Sequence, residues 1–126
     1  MAEQLQKLNT EFTQLQTELA GIVTARERLE SQQQENQAVK KEFDTLDDDA
    51  NIYKLVGPVL LKQETSEAVH AVEARLGFIE KEIERVEKQI KELEEKCEKK
   101  KVELLQCQTQ LQQQQQQQQQ AASASA

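Results

Sequence analysis

The sequence predicts a mainly α-helical protein, a long antiparallel two-helix coiled coil with one β-hairpin at its centre. Three observations predict it. Two long segments carry apolar residues at alternating spacings of three and four, the mark of heptad positions a and d. Turn-forming residues are scarce, with three glycines and one proline in 126 residues. A single short apolar, β-prone island lies between the two segments. Composition agrees: charged residues make up 31% and aromatics 3%, and mean hydropathy is -0.81. That profile belongs to long helices rather than to a compact globule.

The first helix is expected over about residues 2–46. Leu5, Leu8, Phe12, Leu15, Leu19, Ile22 and Leu29 mark its seam. Continued in the same register, the seam takes in Arg26, Gln33, Asn36, Lys40 and Phe43. Four polar residues there predict a local heptad slip between Arg26 and Gln33. After the slip, Asn36, Val39, Phe43 and Leu46 keep the spacing, with Val39 and Leu46 newly inside. Arg26 and Asn36 are also expected to set register at some cost in stability. The run Asp47-Asp48-Asp49 then ends the helix, because carboxylates oppose its negative C-terminal end. The run lacks the ligand spacing, central glycine and twelfth-position glutamate of a calcium loop, so it reads as turn and solubility.

The central island, at about residues 50–63, reads Asn51, Ile52, Tyr53, Lys54, Leu55, Val56, Gly57, Pro58, Val59, Leu60 and Leu61, then Lys62 and Gln63. Gly57-Pro58 supplies the turn: glycine tolerates positive φ, and proline has no N–H for a ladder. A helical hairpin needs only a few polar residues to cross over, so two strands imply a further task. A lone two-stranded hairpin is marginal in water and exposes apolar edges. The island therefore predicts oligomerisation through sheet formation.

The second helix is expected over about residues 65–111. Val69, Leu76, Ile83, Ile90, Cys97, Leu104 and Leu111 fill one heptad site. Val72, Ile79, Val86, Leu93 and Cys107 fill the other, interrupted by Lys100. Thr65 or Ser66 is the expected cap. Glu84–Lys88, Glu87–Lys91, Glu92–Lys96 and Glu95–Lys99 sit four apart in the favoured order, each pair adding a few tenths of a kcal/mol. Two helices of about 45 residues would each run roughly 65–70 Å. In an antiparallel seam, residues whose numbers add to about 112 should pair. Leu8 then meets Leu104, Leu15 meets Cys97, Leu19 meets Leu93, Ile22 meets Ile90, Leu29 meets Ile83 and Phe43 meets Val69. The fold-back point falls at Val56-Gly57, where the turn signal lies. Residues 1–111 thus form one domain, and the Gln/Ala/Ser segment 112–126 is a low-complexity tail, expected to be disordered beyond a turn or two of helix.

The net charge of -7 and pI near 4.8 argue against a nucleic-acid partner. Lys99-Lys100-Lys101 is ringed by Glu94, Glu95, Glu98 and Glu103 and reads as a solvated face. No apolar run is long enough for a membrane span, and Met1-Ala2-Glu3-Gln4 resembles neither a signal nor a transit peptide. Cys97 and Cys107, ten residues apart on the seam, read as reduced thiols, not as a metal pair or redox dithiol. His70 lies one step off the seam, and Ser66 lacks a base and oxyanion arrangement. No catalytic residue, cofactor site or metal site is expected, and a two-helix coil offers no dry pocket. If the chain acts, it is expected to act by binding, as a structural coiled-coil adaptor for instance.

The segment from Asn51 to Gln63, with Asn36-x-x-Val39 before it and Glu64-x-x-Glu67-Ala68 after it, resembles the prefoldin family. The resemblance covers roughly Leu5 to Leu111, and the single hairpin is similar to the β-type class. It implies a cytoplasmic heterohexamer in which this chain joins two α-type and three further β-type subunits. It implies that residues Asn51 to Leu61 form the assembly hairpin, one segment of an intersubunit β-barrel. The helix ends would hold unfolded clients, notably actin and tubulin, and pass them to the cytosolic chaperonin without ATP. At those tips stand Leu5, Leu8 and Phe12 from one helix and Leu104, Leu105 and Leu111 from the other. Leu105, off the seam beside Leu104, is expected to stay exposed.

Overall fold

The computed structural model describes residues 2–47 and 49–125. The order is α1 (Ala2–Thr45), β1 (Ile52–Val56), β2 (Val59–Gln63) and α2 (Thr65–Ser125). Residues 24–87 form one compact unit, and residues 2–23 with 88–125 form another.

In the unit of residues 24–87, α1 ends at Thr45. Thr45 Oγ1 donates to the Glu42 carbonyl at 2.8 Å, and the Leu46 N–H tightens onto the Phe43 carbonyl at 3.3 Å. The Ala50 N–H closes a turn on the Asp47 carbonyl at 2.9 Å. Of the acidic run expected to end this helix, Asp48 lies outside the described residues. The strands pair antiparallel from Ile52 opposite Gln63 to Val56 opposite Val59. Gly57 has φ of 59°, which fits the first central position of a two-residue II′ turn; Pro58, with φ held negative, suits the second. The turn's twist matches that of the strands, so the short loop costs the ladder nothing. At the hairpin base Ile52 is buried with Ala68 and Val72, tying β1 to the start of α2. The Glu64 carbonyl accepts from the Ala68 N–H at 3.0 Å, so Glu64 takes the cap position expected of Thr65 or Ser66.

The expected heptad slip does not occur. Arg26, Gln33, Asn36, Lys40 and Phe43 are half-buried in one unbroken register, whereas Val39 and Leu46 are exposed on the flank. Long polar side chains make this workable, because their stems cover the seam while their heads reach its edge. Arg26 spans to Glu87 with Nη2–Oε1 at 2.9 Å, and Lys40 reaches Glu73 at 3.8 Å. Asn36 instead donates to the Gln32 carbonyl of its own helix at 2.7 Å, so it does not bridge the helices.

In the unit of residues 2–23 and 88–125, Leu5, Leu8, Phe12, Leu15, Leu19 and Ile22 are half-buried, and Leu93 and Cys107 are buried. Lys100 holds the seam place between the last two. It is half-buried, not a solvated lysine, with Nζ 2.7 Å from Glu11 and 3.3 Å from Glu103. Among the described residues, the cross-helix ion pairs of Arg26, Lys40 and Lys100 fall within one residue of the antiparallel register expected from the heptads. Along α2 the row Val72, Ile79, Val86, Leu93 and Cys107 is buried, while Val69, Leu76, Ile83, Ile90, Cys97, Leu104 and Leu111 are half-buried.

None of the four expected Glu-to-Lys pairs along α2 is closed among the described residues; the helix instead pairs Arg85 with Glu82 at 2.8 Å, and Glu87 turns across to Arg26. Exposed pairs gain too little to hold two long side chains in place. The helix also runs past Leu111, its expected end, through Gln112–Gln120 to Ser125. Glutamine and alanine are sound helix formers, and no glycine or proline stops them. Every residue from Gln112 to Ser125 is exposed, so this extension rests on local helix bonding alone.

Candidate functional site

The strands set their side chains alternately on two faces. Tyr53 and Leu55 share one face with Leu60 and Lys62, their cross-strand partners. Ile52, Lys54 and Val56 share the other with Gln63, Leu61 and Val59. Only Ile52 is buried, and Gln63 is half-buried. Leu55 is 68% exposed, Leu60 63%, and Tyr53, Val56, Val59 and Leu61 are about half exposed. Asn51 precedes β1 and is exposed. The sheet has two strands, so each strand keeps one edge free of backbone pairing. A short ladder with two unpaired edges and apolar side chains on both faces is a template for further strands. Each of these hairpin residues was expected from the sequence to lie in or beside the strands, and the structure brings them together in one paired element.

The predicted tip residues are placed differently. Leu5, Leu8, Phe12, Leu104 and Leu111 are half-buried seam residues. Leu105 alone among them is well exposed, at 55%, and Val102 beside it is also exposed. Electrostatics here centre on Lys100. Its hydrogen bond to Glu11 raises its pKa above the ordinary lysine value, and the same bond holds the Glu11 carboxyl below the usual carboxylate range. In the other unit the hydrogen bond to Glu87 likewise raises Arg26.

Among the described residues no group of His, Cys, Asp and Glu is placed to hold a metal ion. His70 is exposed; Cys97 is half-buried and Cys107 buried, both unpaired thiols. No described helix is long and apolar enough to cross a membrane. Sequence reasoning missed Phe78, 66% exposed and the most exposed aromatic ring of the chain. The signal was available: Phe78 stands one place before the seam residue Ile79, as Leu105 stands one place after Leu104.

The prefoldin subunit family matches residues 6–118 of this chain. The chain belongs to the prefoldin family. Prefoldin subunit 6 of Saccharomyces cerevisiae is 48% identical over 101 residues, covering 80% of this chain and 89% of the relative. Prefoldin subunit 6 of Homo sapiens is 43% identical over 112 residues, covering 86% and 87%. The crystal structure of the prefoldin beta subunit from Thermococcus strain KS-1 shares the fold, with a TM-score of 0.77 over 82% of this chain and 91% of that one at 24% identity. The beta2 subunit from the same strain gives 0.64 over 72% and 97% at 27% identity. One hairpin between two long helices is therefore the β-type prefoldin architecture the sequence implied. As a prefoldin subunit the chain is a co-chaperone component that assembles with other prefoldin subunits.

Proposed function

We propose that this chain is a β-type subunit of a cytoplasmic prefoldin heterohexamer, assembled with two α-type and three further β-type subunits. Its hairpin closes an intersubunit β-barrel. Its helix ends hold unfolded proteins such as actin and tubulin and pass them to the cytosolic chaperonin, without ATP and without chemistry of their own. The observation that carries this reading is the hairpin: both outer edges unpaired, and Leu55 and Leu60 mostly in water. A monomer gains nothing from that arrangement, whereas neighbouring strands satisfy the edges and cover the apolar faces. Client holding rests on Leu105 and Val102 and on half-buried seam residues that open as the helices fray.

Replacing Leu55 and Leu60 together with Asp is expected to abolish assembly with co-expressed prefoldin subunits while far-ultraviolet circular dichroism stays helical. A full-sized complex by light scattering would overturn the assembly role. Removing residues 1–12 and 104–126 is expected to leave assembly intact and to end suppression of aggregation of denatured actin. Unchanged suppression sinks the client role, and suppression confined to one folded partner would make the chain an adaptor.

A further inference from the structure

The hairpin residues described above do not account for the rest of the apolar surface in residues 24–87. A hollow runs between the end of α1, the hairpin base and the start of α2, with Val39, Phe43, Tyr53 and Leu55 on its walls. At Arg75 it meets a second, mostly apolar hollow that ends on Phe78. We take the two hollows, which share Arg75, as one groove down the flank, and Val39, Tyr53, Leu55 and Phe78 on it are all exposed.

Two features say what the groove receives. The chain has three Phe, one Tyr and no Trp, and three of those four rings, Phe43, Tyr53 and Phe78, line this groove. A coiled coil has no packing use for a ring at the position of Phe78, off the seam and in water. Aromatic side chains and arginine are what the buried centre of a protein interface favours. The groove also carries Lys54 and Arg75, neither with an ion-pair partner among the described residues, on a chain of net charge -7. Charge complementarity then asks for carboxylates on the occupant. The groove is continuous at Tyr53 and Leu55 with the hairpin surface.

We infer that the contact with a neighbouring prefoldin subunit continues from the hairpin into this groove, which takes an apolar, carboxylate-bearing segment of that neighbour. Phe78 anchors the inner end, and Arg75 and Lys54 meet the carboxylates. The inference rests on the hairpin's role in assembly and extends that surface along the helices.

The test places p-benzoylphenylalanine at position 78 in prefoldin assembled from co-expressed subunits, then illuminates it with and without denatured actin. A cross-link to a neighbouring subunit that forms without actin and persists with it is the expected result. A cross-link to actin alone, or none at all, overturns the inference. In parallel, Phe78→Asp and Arg75→Glu should each raise the concentration at which the complex dissociates by about tenfold, the loss of one interface anchor. Phe78 is exposed, so helicity should not change. The Leu55 and Leu60 double variant separates the two readings. If it blocks assembly while Phe78→Asp dissociates at the ordinary concentration, the groove inference alone fails. If it assembles normally, the hairpin reading fails whatever position 78 touches.

Discussion

Between residues 5 and 22 every seam position of α1 is Leu, Ile or Phe, whereas between residues 26 and 40 the seam includes Arg26, Gln33, Asn36 and Lys40. The exposed surface is arranged the other way. Val39, Leu46, Phe78 and six hairpin residues expose large apolar side chains in the unit of residues 24–87; Val23, Val102 and Leu105 do so in the unit with the termini. The unit with the termini thus keeps its α1 seam apolar and shows little apolar surface. The other exposes more apolar side chains while still burying Val72, Ile79 and Val86 of α2, and holds its α1 seam partly by polar contacts such as Arg26 with Glu87. The difference teaches that a coiled coil can carry polar seam residues in the same stretch that exposes most apolar surface, the surface proposed above to meet other subunits.

Core truncation should show the largest contrast. Leu93→Ala removes a buried side chain from the apolar seam and is expected to cost about 2–4 kcal/mol, read as a lower midpoint in thermal unfolding. A cost below about 0.5 kcal/mol, typical of a surface change, would break the comparison. Gln33→Leu should move stability the opposite way. It puts an apolar group where a half-buried amide now sits and should add about 1 kcal/mol. An unchanged or lower midpoint would mean that the polar seam is stabilising in its own right.

The smallest effect is in pH. Glu11 titrates below the ordinary glutamate range when folded, because Lys100 hydrogen-bonds its carboxylate. The folded chain therefore binds fewer protons there than the unfolded chain. That contribution to stability is whole above the ordinary glutamate value and is lost as pH falls through the lowered one. Lys100, raised mainly by the same bond, contributes below its ordinary value and loses its contribution as pH rises through the raised one. Glu11→Gln should flatten the acid limb of the unfolding midpoint against pH and barely move it at neutrality, since the pair is near the surface. An acid limb as steep as before would show that Glu11 is not the group responsible.

Much of this was legible in the sequence because heptads and turns are local codes. Leu5 to Ile22 and Val69 to Leu111 announce their seams by spacing, and the cross-helix ion pairs fall within a residue of the antiparallel arithmetic. Gly57-Pro58 announces its turn by what those two residues can and cannot do with φ. The heptad slip was misread for a physical reason. Spacing treats Arg26 and Lys40 as failures of an apolar rule, yet each is long enough to sit at the seam and reach a carboxylate on α2. Composition likewise takes the glutamine run for a disordered tail, although unbroken glutamine and alanine continue a helix already nucleated by α2.

By itself, then, the sequence determined two helices, one hairpin and their antiparallel register, since each follows from residues near one another along the chain. Tertiary structure decided that Val39 and Leu46 lie outside, that Lys100 belongs to the seam, and that Phe43 and Tyr53 line one hollow while Phe78 lines the next, with Arg75 common to both. Those facts depend on which side of α2 faces which side of α1, and residue spacing along one helix carries no information about a side chain arriving from another.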